Sequence, residues 1–161
     1  MSNIEIRPAS AQDAALILRY ITDLAIYENA GDAVIATESD IKNTLFSEGS
    51  TTTAVICEID HQAVGFAVYF FNYSTWLGKH GLYLEDLYVS PQYRGAGAGK
   101  ALLKYLAQVA LSNHCGRLEW SVLDWNEPAI GFYKSLGAQA QDEWVSYRLT
   151  GDALVALAES Q

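Results

Sequence analysis

Several residue types are scarce in this sequence of 161 residues, and each scarcity excludes something. There are two cysteines, Cys57 and Cys115, far apart in the chain. Neither belongs to a zinc-type or redox pair, so both read as buried thiols, and such usage points to a cytoplasmic protein. No apolar run reaches the ~18 residues of a membrane-spanning helix. The opening MSNIEIRPAS carries charge where a secretory signal needs an apolar core, so no secretion is expected. Basic residues are outnumbered, 10 Lys and Arg against 19 Asp and Glu, for a net charge of −9. That balance argues against nonspecific nucleic-acid binding, which depends on clustered positive charge. The acidity either maintains solubility or steers a cationic small substrate. His61, His80 and His114 are scattered through turns and loops, with no metal-ligand spacing and no Ser/His/Asp arrangement.

What the chain has is apolar content. Half its residues are hydrophobic, enough for the core of the single domain, residues 1–161, that this length suggests. Ile4 and Ile6 alternate with Glu5 and Arg7 in a short strand ended by Pro8. Ser10-x-x-Asp13 resembles a capping box for a helix running to about Tyr27 and Glu28, and Thr37-x-x-Asp40 caps a second, short helix. Strands follow over 51–59 and 64–73, joined by an Asp60-His61 turn. A loop over 74–81 holds Trp76, Lys79 and His80. Leu118 to Leu123 reads as another strand. Asn126-Glu127-Pro128 leads into a helix with Gly137 just past its end. Trp144 to Leu149 reads as a final strand, and Asp152 as the cap of a short terminal helix.

The stretch LYLEDLYVSPQYRGAGAGKALL (82–103) organises the rest. An apolar strand stops at Pro91. Gly95, Gly97 and Gly99 alternate with alanine before Lys100, and Leu102, Leu103, Leu106, Val109 and Ala110 then repeat along one helix face. The first N–H groups of a helix lack internal partners, and glycines let an anion approach them. A purely structural glycine turn is the alternative reading. The strand at 82–89 and that at 118–123 are joined by this helix, so they should run parallel.

Glu85 and Asp86 are adjacent acids inside the apolar strand. Successive side chains should point to opposite faces, and ionised acids are rarely buried alone. One or both should therefore line a cleft, bind a cation or take up a proton; an acid on a solvent-facing side is the alternative. Tyr133 lies on the apolar stripe of its helix, where a tyrosine is ordinarily core.

Together these residues resemble the GNAT superfamily of acetyl-CoA-dependent N-acetyltransferases. Arg94-x-x-Gly97-x-Gly99 matches its coenzyme A signature. YLEDLYV (83–89), YRGAGAG (93–99) and WNEPAIGFYKSLGA (125–138) look like the diamine acetyltransferase branch, which includes the spermidine/spermine and thialysine enzymes. IRPASAQD (6–13) and LAIYE (24–28) fit it as well. The resemblance implies an α/β (α+β) fold with a mixed, mostly antiparallel sheet, flanked by helices. A parallel strand pair should splay apart at the acetyl-CoA site.

The resemblance also implies roles. The loop Arg94, Gly95, Ala96, Gly97, Ala98, Gly99 and Lys100 would hold the coenzyme's pyrophosphate on backbone N–H groups. Backbone groups of Leu87 and Val89, with Tyr88 between them, would flank the pantetheine arm. Asn126 matches a cofactor contact near the thioester. Tyr133 matches the family's general acid, which also reverses its reading as core. A phenol of pKa ~10 keeps its proton at neutral pH and can release it to sulfur. Glu85 is assigned as base and Asp86 as cation binder. Tyr27 and Glu28 extend the cationic channel, and Trp76 lines it. No metal is required.

The acceptor implied is a small primary amine with a second cationic group: a diamine, a polyamine or a lysine-like amino acid. A peptide or protein lysine is the alternative, and a non-catalytic acyl-CoA binding module a further one. The resemblance implies a homodimer too. Ala96 and Ala98 in the loop, Ser135 and Leu136 after the tyrosine, and the short Asp60-His61 turn depart from the polyamine enzymes, which weakens any transfer of exact substrate.

Overall fold

The computed structural model describes residues 2–161. The chain divides into two compact units, one ending at Leu123 and one from Asp124 to Gln161.

The first unit is built on a five-stranded sheet. Its strands are β1 (Ile4–Pro8), β2 (Thr52–Ile59), β3 (Gln62–Ser74), β4 (Lys79–Val89) and β5 (Leu118–Glu119), side by side in chain order. Neighbours are antiparallel except β4 and β5, which are parallel, as the crossover by a helix requires. Asp60 and His61 both carry positive φ, 50° and 67°, as a two-residue hairpin turn demands. Lys79 and His80, expected in a loop, begin β4 instead. The tight turn after β3 needs only four residues, with Gly78 at φ 64°.

Three helices cover this sheet. α1 (Ala14–Tyr27) follows a short 3-10 turn in which Asp13 Oδ2 accepts from the Ser10 N–H at 2.8 Å. α2 (Glu38–Leu45) starts with the expected reciprocal cap, Asp40 N–H to Thr37 Oγ1 and Thr37 N–H to Asp40 Oδ2. α3 (Ala98–Ser112) starts directly from the glycine loop. Arg7 ties the first elements together. It forks onto Asp13 at 2.9 and 3.0 Å and reaches Glu58 Oε2 at 3.0 Å, which holds the Asp13 carboxyl below its ordinary range.

Ile17 and Tyr20 of α1, Ile41 of α2, and Ile56, Phe66, Val68 and Tyr88 of the strands form one buried cluster. The Tyr20 ring stacks on Phe66 at 5.4 Å and tilts against Tyr88 at 5.9 Å. The alternation of each strand sends Val55, Cys57, Ala67, Leu82 and Leu84 to the opposite face, where Leu102 and Leu106 of α3 are buried. Burial pushes the Cys57 thiol up to about 11, consistent with an inert core cysteine.

In the second unit α4 (Glu127–Ser135) and α5 (Gly151–Glu159) are helical, and Gly137 takes the left-handed conformation just past α4, φ 90°. Thr150, not Asp152, is the N-cap of α5. Two expected strands differ. Only Leu118 and Glu119 of the 118–123 run pair with β4, and 144–149 forms no strand. A β pattern names only one of the two segments that a ladder needs, so propensity alone does not fix where pairing stops.

Gly65 of β3 faces the end of β4 so closely that an added Cβ would meet the Tyr88 carbonyl oxygen well inside van der Waals contact, with Val89 Cα at 3.2 Å. Both obstacles are backbone. Gly65→Ala is therefore expected to cost ~1–3 kcal/mol, as overpacking does. A denaturant midpoint equal to that of the parent would refute this reading of the contact.

Candidate active site

β4 carries the site. Its ladder with β3 slips between Val68 and Tyr69: Val68 pairs with Asp86 and Tyr69 with Leu84, leaving Glu85 as an extra residue. Such a bulge resets the alternation. Leu84 and Leu82 follow the α3 face, whereas Asp86 and Tyr88 follow the α1 face. The expectation that Glu85 and Asp86 must point to opposite faces therefore does not hold at this step. Glu85 is exposed and Asp86 half-buried, and the Glu85 charge bears on Asp86.

The C-terminus of α1 completes the acidic group. Glu28 caps α1, with its N–H on the Leu24 carbonyl at 2.9 Å. Desolvation raises the Asp86 pKa to about 6, helped by the charges of Glu85 and Glu28, and desolvation also raises Glu28. Three carboxylates from two elements thus converge where Tyr27 and Glu28 meet β4. This arrangement costs free energy unless a cation or a proton enters it.

β4 also offers a backbone edge. The Ser90 N–H donates to the Val64 carbonyl at 2.8 Å. By the alternation of an antiparallel ladder, Tyr88 then directs its backbone groups to β3. Leu87 and Val89 direct theirs the other way, to the side where β5 has already ended. The parallel pair expected from the sequence is present, and its ladder covers Leu82 and Tyr83 of β4. Of the three residues assigned to the pantetheine arm, Leu87 and Val89 present backbone groups away from β3 and Tyr88 does not; its ring is buried against Tyr20. The Val89 carbonyl accepts from Arg94 Nε at 3.2 Å.

The glycine loop follows. Gly95 and Gly97 have φ of 85° and 92°, a conformation that side chains resist, and Gly97 is the N-cap of the 15-residue α3. An added Cβ at Gly95 or Gly99 would meet no atom within 4 Å, so neither glycine is packed against another part of the chain. Positive-φ glycines ahead of unpaired helix N–H groups suit a pyrophosphate. Lys100 lies exposed in the first turn. The Arg94 guanidinium, by contrast, turns to aromatic faces, 5.1 Å from the Tyr27 centroid and 5.6 Å from the Tyr88 centroid.

In the second unit Asn126 is the N-cap of α4 and 8% exposed. Tyr133 lies seven residues on, two turns along the same face, half-buried with its ring 5.9 Å from Phe132. Trp76 stands apart from the acids. It is 84% exposed in the β3–β4 turn, and Glu85 lies six residue steps beyond Lys79 along β4, ~20 Å at the usual rise. Sequence reading also passed over Glu5, Glu58 and His61, whose ligand-type atoms lie within 4.8 Å of one another. Glu58 is engaged by Arg7 and Glu5 by Asn3 Nδ2 at 2.9 Å, so this group reads as a surface polar network.

Residues 21–138 match the Acetyltransferase (GNAT) family. The chain belongs to that family. The thialysine N-epsilon-acetyltransferase of Sus scrofa is 40% identical over 169 residues, covering 98% of this chain and 99% of that protein. The spermidine/spermine N(1)-acetyltransferase-like protein 1 of Homo sapiens is 36% identical over 98% of this chain and 24% of its own length. Among solved structures, the integron cassette protein VCH_CASS6 of V. cholerae superposes with a TM-score of 0.81 at 32% identity, covering 98% of both chains. The GNAT fold expected from the residues is borne out, and so is the reading as an N-acetyltransferase; no helix among the described residues is long and apolar enough to cross a membrane.

The raised Asp86 has a measurable consequence in this GNAT enzyme. The folded state binds this proton more tightly than the unfolded chain, whose aspartate titrates near 3.8. Stability therefore falls as pH rises from about 4 to about 6, and the deficit persists above. Asp86→Asn should raise the melting temperature at pH 7.5, by ~2 kcal/mol of stability after allowing for partial exposure, and the gain should fade towards pH 4. An equal gain at both pH values would mean that packing, not charge, is responsible.

Proposed function

We propose that this chain moves an acetyl group from acetyl-CoA directly to the primary amine of a small substrate that carries a second positive charge. The observation that carries this reading is the convergence of Glu28, Glu85 and Asp86 beside the open edge of β4. A diamine, a polyamine or a lysine-like amino acid places two cationic groups a few bonds apart. One suits the acids, while the other must be neutral to react. The names of the thialysine and spermidine/spermine relatives support the same class.

Acetyl-CoA supplies the activated acyl group. The backbone N–H groups of 94–100 would hold its phosphates, and Leu87 and Val89 its pantetheine arm, with Asn126 matching the contact near the thioester. A protonated amine of pKa ~10 must lose a proton before it attacks. Asp86 is the better acceptor of that proton than Glu85, because a carboxylate with a pKa of about 6 holds a proton near neutral pH. Glu85 and Glu28 then bind the second cation. This exchanges the two roles assigned from the sequence. Tyr133, by its match to the family motif, keeps a proton for the departing sulfur. Orientation of the amine on the acids and of the carbonyl on β4 provides the rest of the acceleration.

The fold is proposed to act as one GNAT domain across both units, in the cytoplasm, and as a homodimer. Val145 and Tyr147 support a second copy, being 75% and 97% exposed in a segment that has strand-forming side chains.

Turnover across diamines, polyamines, lysine, thialysine and a lysine peptide tests the acceptor class. Free thiol should be released with the small dicationic amines, and turnover of the peptide alone would move the assignment to protein lysines. With the best amine, kcat/KM should rise with pH through about 6 as Asp86 ionises, and Asp86→Asn should remove that limb. Tyr133→Phe should lower kcat ~100-fold or more while coenzyme A still binds; an unchanged kcat would remove Tyr133 from proton transfer. Light scattering should give the mass of two chains, and a monomer at micromolar concentration would defeat the dimer.

A further inference from the structure

We infer that Arg94 is a positioning residue for the amine side of the reaction, clamping the last turn of α1 to the glycine loop. The inference rests on the reading that Tyr27 and Glu28 belong to the acceptor site. The loop's backbone suits the phosphates, so a cationic side chain at its start would be expected to serve them too. It does not turn that way. The guanidinium lies 5.1 Å from the Tyr27 ring and 5.6 Å from the Tyr88 ring, and its Nε donates to the Val89 carbonyl at 3.2 Å. These contacts come from three parts of the fold: the last residue of α1, the end of β4 and the loop itself.

The geometry has a mechanical meaning. Helix ends fray, and α1 ends at Tyr27 in an exposed turn followed by Asn29 at positive φ, 60°. Glu28 is the next residue after Tyr27, so holding that ring restrains the backbone from which the carboxylate projects. On the other side Tyr88 is two residues from Asp86 on the same face of β4. Arg94 thus spans the two elements that bring the acids together. A planar, always charged group suits this place, because it stacks on rings while its Nε remains directed at a carbonyl. The loop that receives one substrate therefore holds the frame that receives the other.

The test separates the two substrates. Arg94→Gln and Tyr27→Leu should each raise the amine KM about tenfold, ~1.4 kcal/mol, and shift the acetyl-CoA KM less than about twofold. The double variant should be no worse than either single one, since both break the same contact. Tyr27→Phe, which keeps the ring, should restore most of what Tyr27→Leu loses. Hydrogen exchange gives a readout that needs no turnover: amides over 24–29 should exchange faster in Arg94→Gln, with the middle of α1 unchanged. A loss confined to acetyl-CoA binding, or fully additive effects of the two substitutions, would overturn the clamp. Absence of turnover in the parent with every amine would instead count against the proposed acceptor class, and the exchange result would still decide the clamp.

Discussion

Every buried backbone N–H and C=O must find a partner, and β4 is where this fold leaves that requirement open. β5 accompanies β4 for only two residues, Leu82 with Leu118 and Tyr83 with Glu119. Beyond that point Leu87 and Val89 direct their backbone groups away from β3, where no ladder pair is present among the described residues. An edge of this kind ordinarily invites aggregation. Here it is short, it is flanked by Arg94 on the Val89 carbonyl, and it leads into the glycine loop. A pantetheine arm, itself an extended chain with amide groups, has the chemistry to satisfy it. In the proposed reading the cosubstrate lies where the pairing of β5 with β4 stops, and the bulge at Glu85 stands beside it.

The electrostatics follow from the same strand. A regular β4 would send Glu85 and Asp86 to opposite faces and keep their charges apart. The slip between Val68 and Tyr69 brings both into play, and the α1 terminus adds Glu28. The folded chain therefore holds Asp86 in a state that weakens it at neutral pH. Such local destabilisation is tolerable because the surrounding clusters, with Tyr20, Phe66, Leu102 and Leu106 buried, are well packed. It also gives the chain's overall acidity a local purpose, since a cation entering this group relieves the repulsion.

What could be read from the sequence was what is encoded within a few neighbouring residues. The caps at Ser10 and Asp13 and at Thr37 and Asp40, the left-handed turn at Asp60 and His61, and Gly97 at the start of α3 need no distant partner. What escaped depends on pairing across the sheet. The bulge at Glu85 is defined by Val68 and Tyr69, 16 or more residues away. Trp120 to Leu123 and Trp144 to Leu149 have the side chains of strands, but a strand is a relation between two segments and propensity names only one of them. The direction of the Arg94 side chain was equally out of reach, because it depends on where α1 delivers Tyr27.

The same division explains why the family was easier to recognise than the acceptor. In the proposed reading the phosphate side is addressed by backbone, and at Gly95 and Gly97 that backbone has the positive φ that favours glycine, so its requirement is written directly in residue types. The proposed amine side is addressed by carboxylates whose strength is not a property of their residue type. Asp86 and Glu85 are neighbours of similar chemistry, yet Glu85 is exposed and Asp86 half-buried, and burial raises Asp86 to about 6. A motif such as Leu84-Glu85-Asp86-Leu87 can state that acids are present. Which of them holds a proton is settled by the depth of each side chain, and here that depth is set by one extra residue in a strand and by the turn that ends α1.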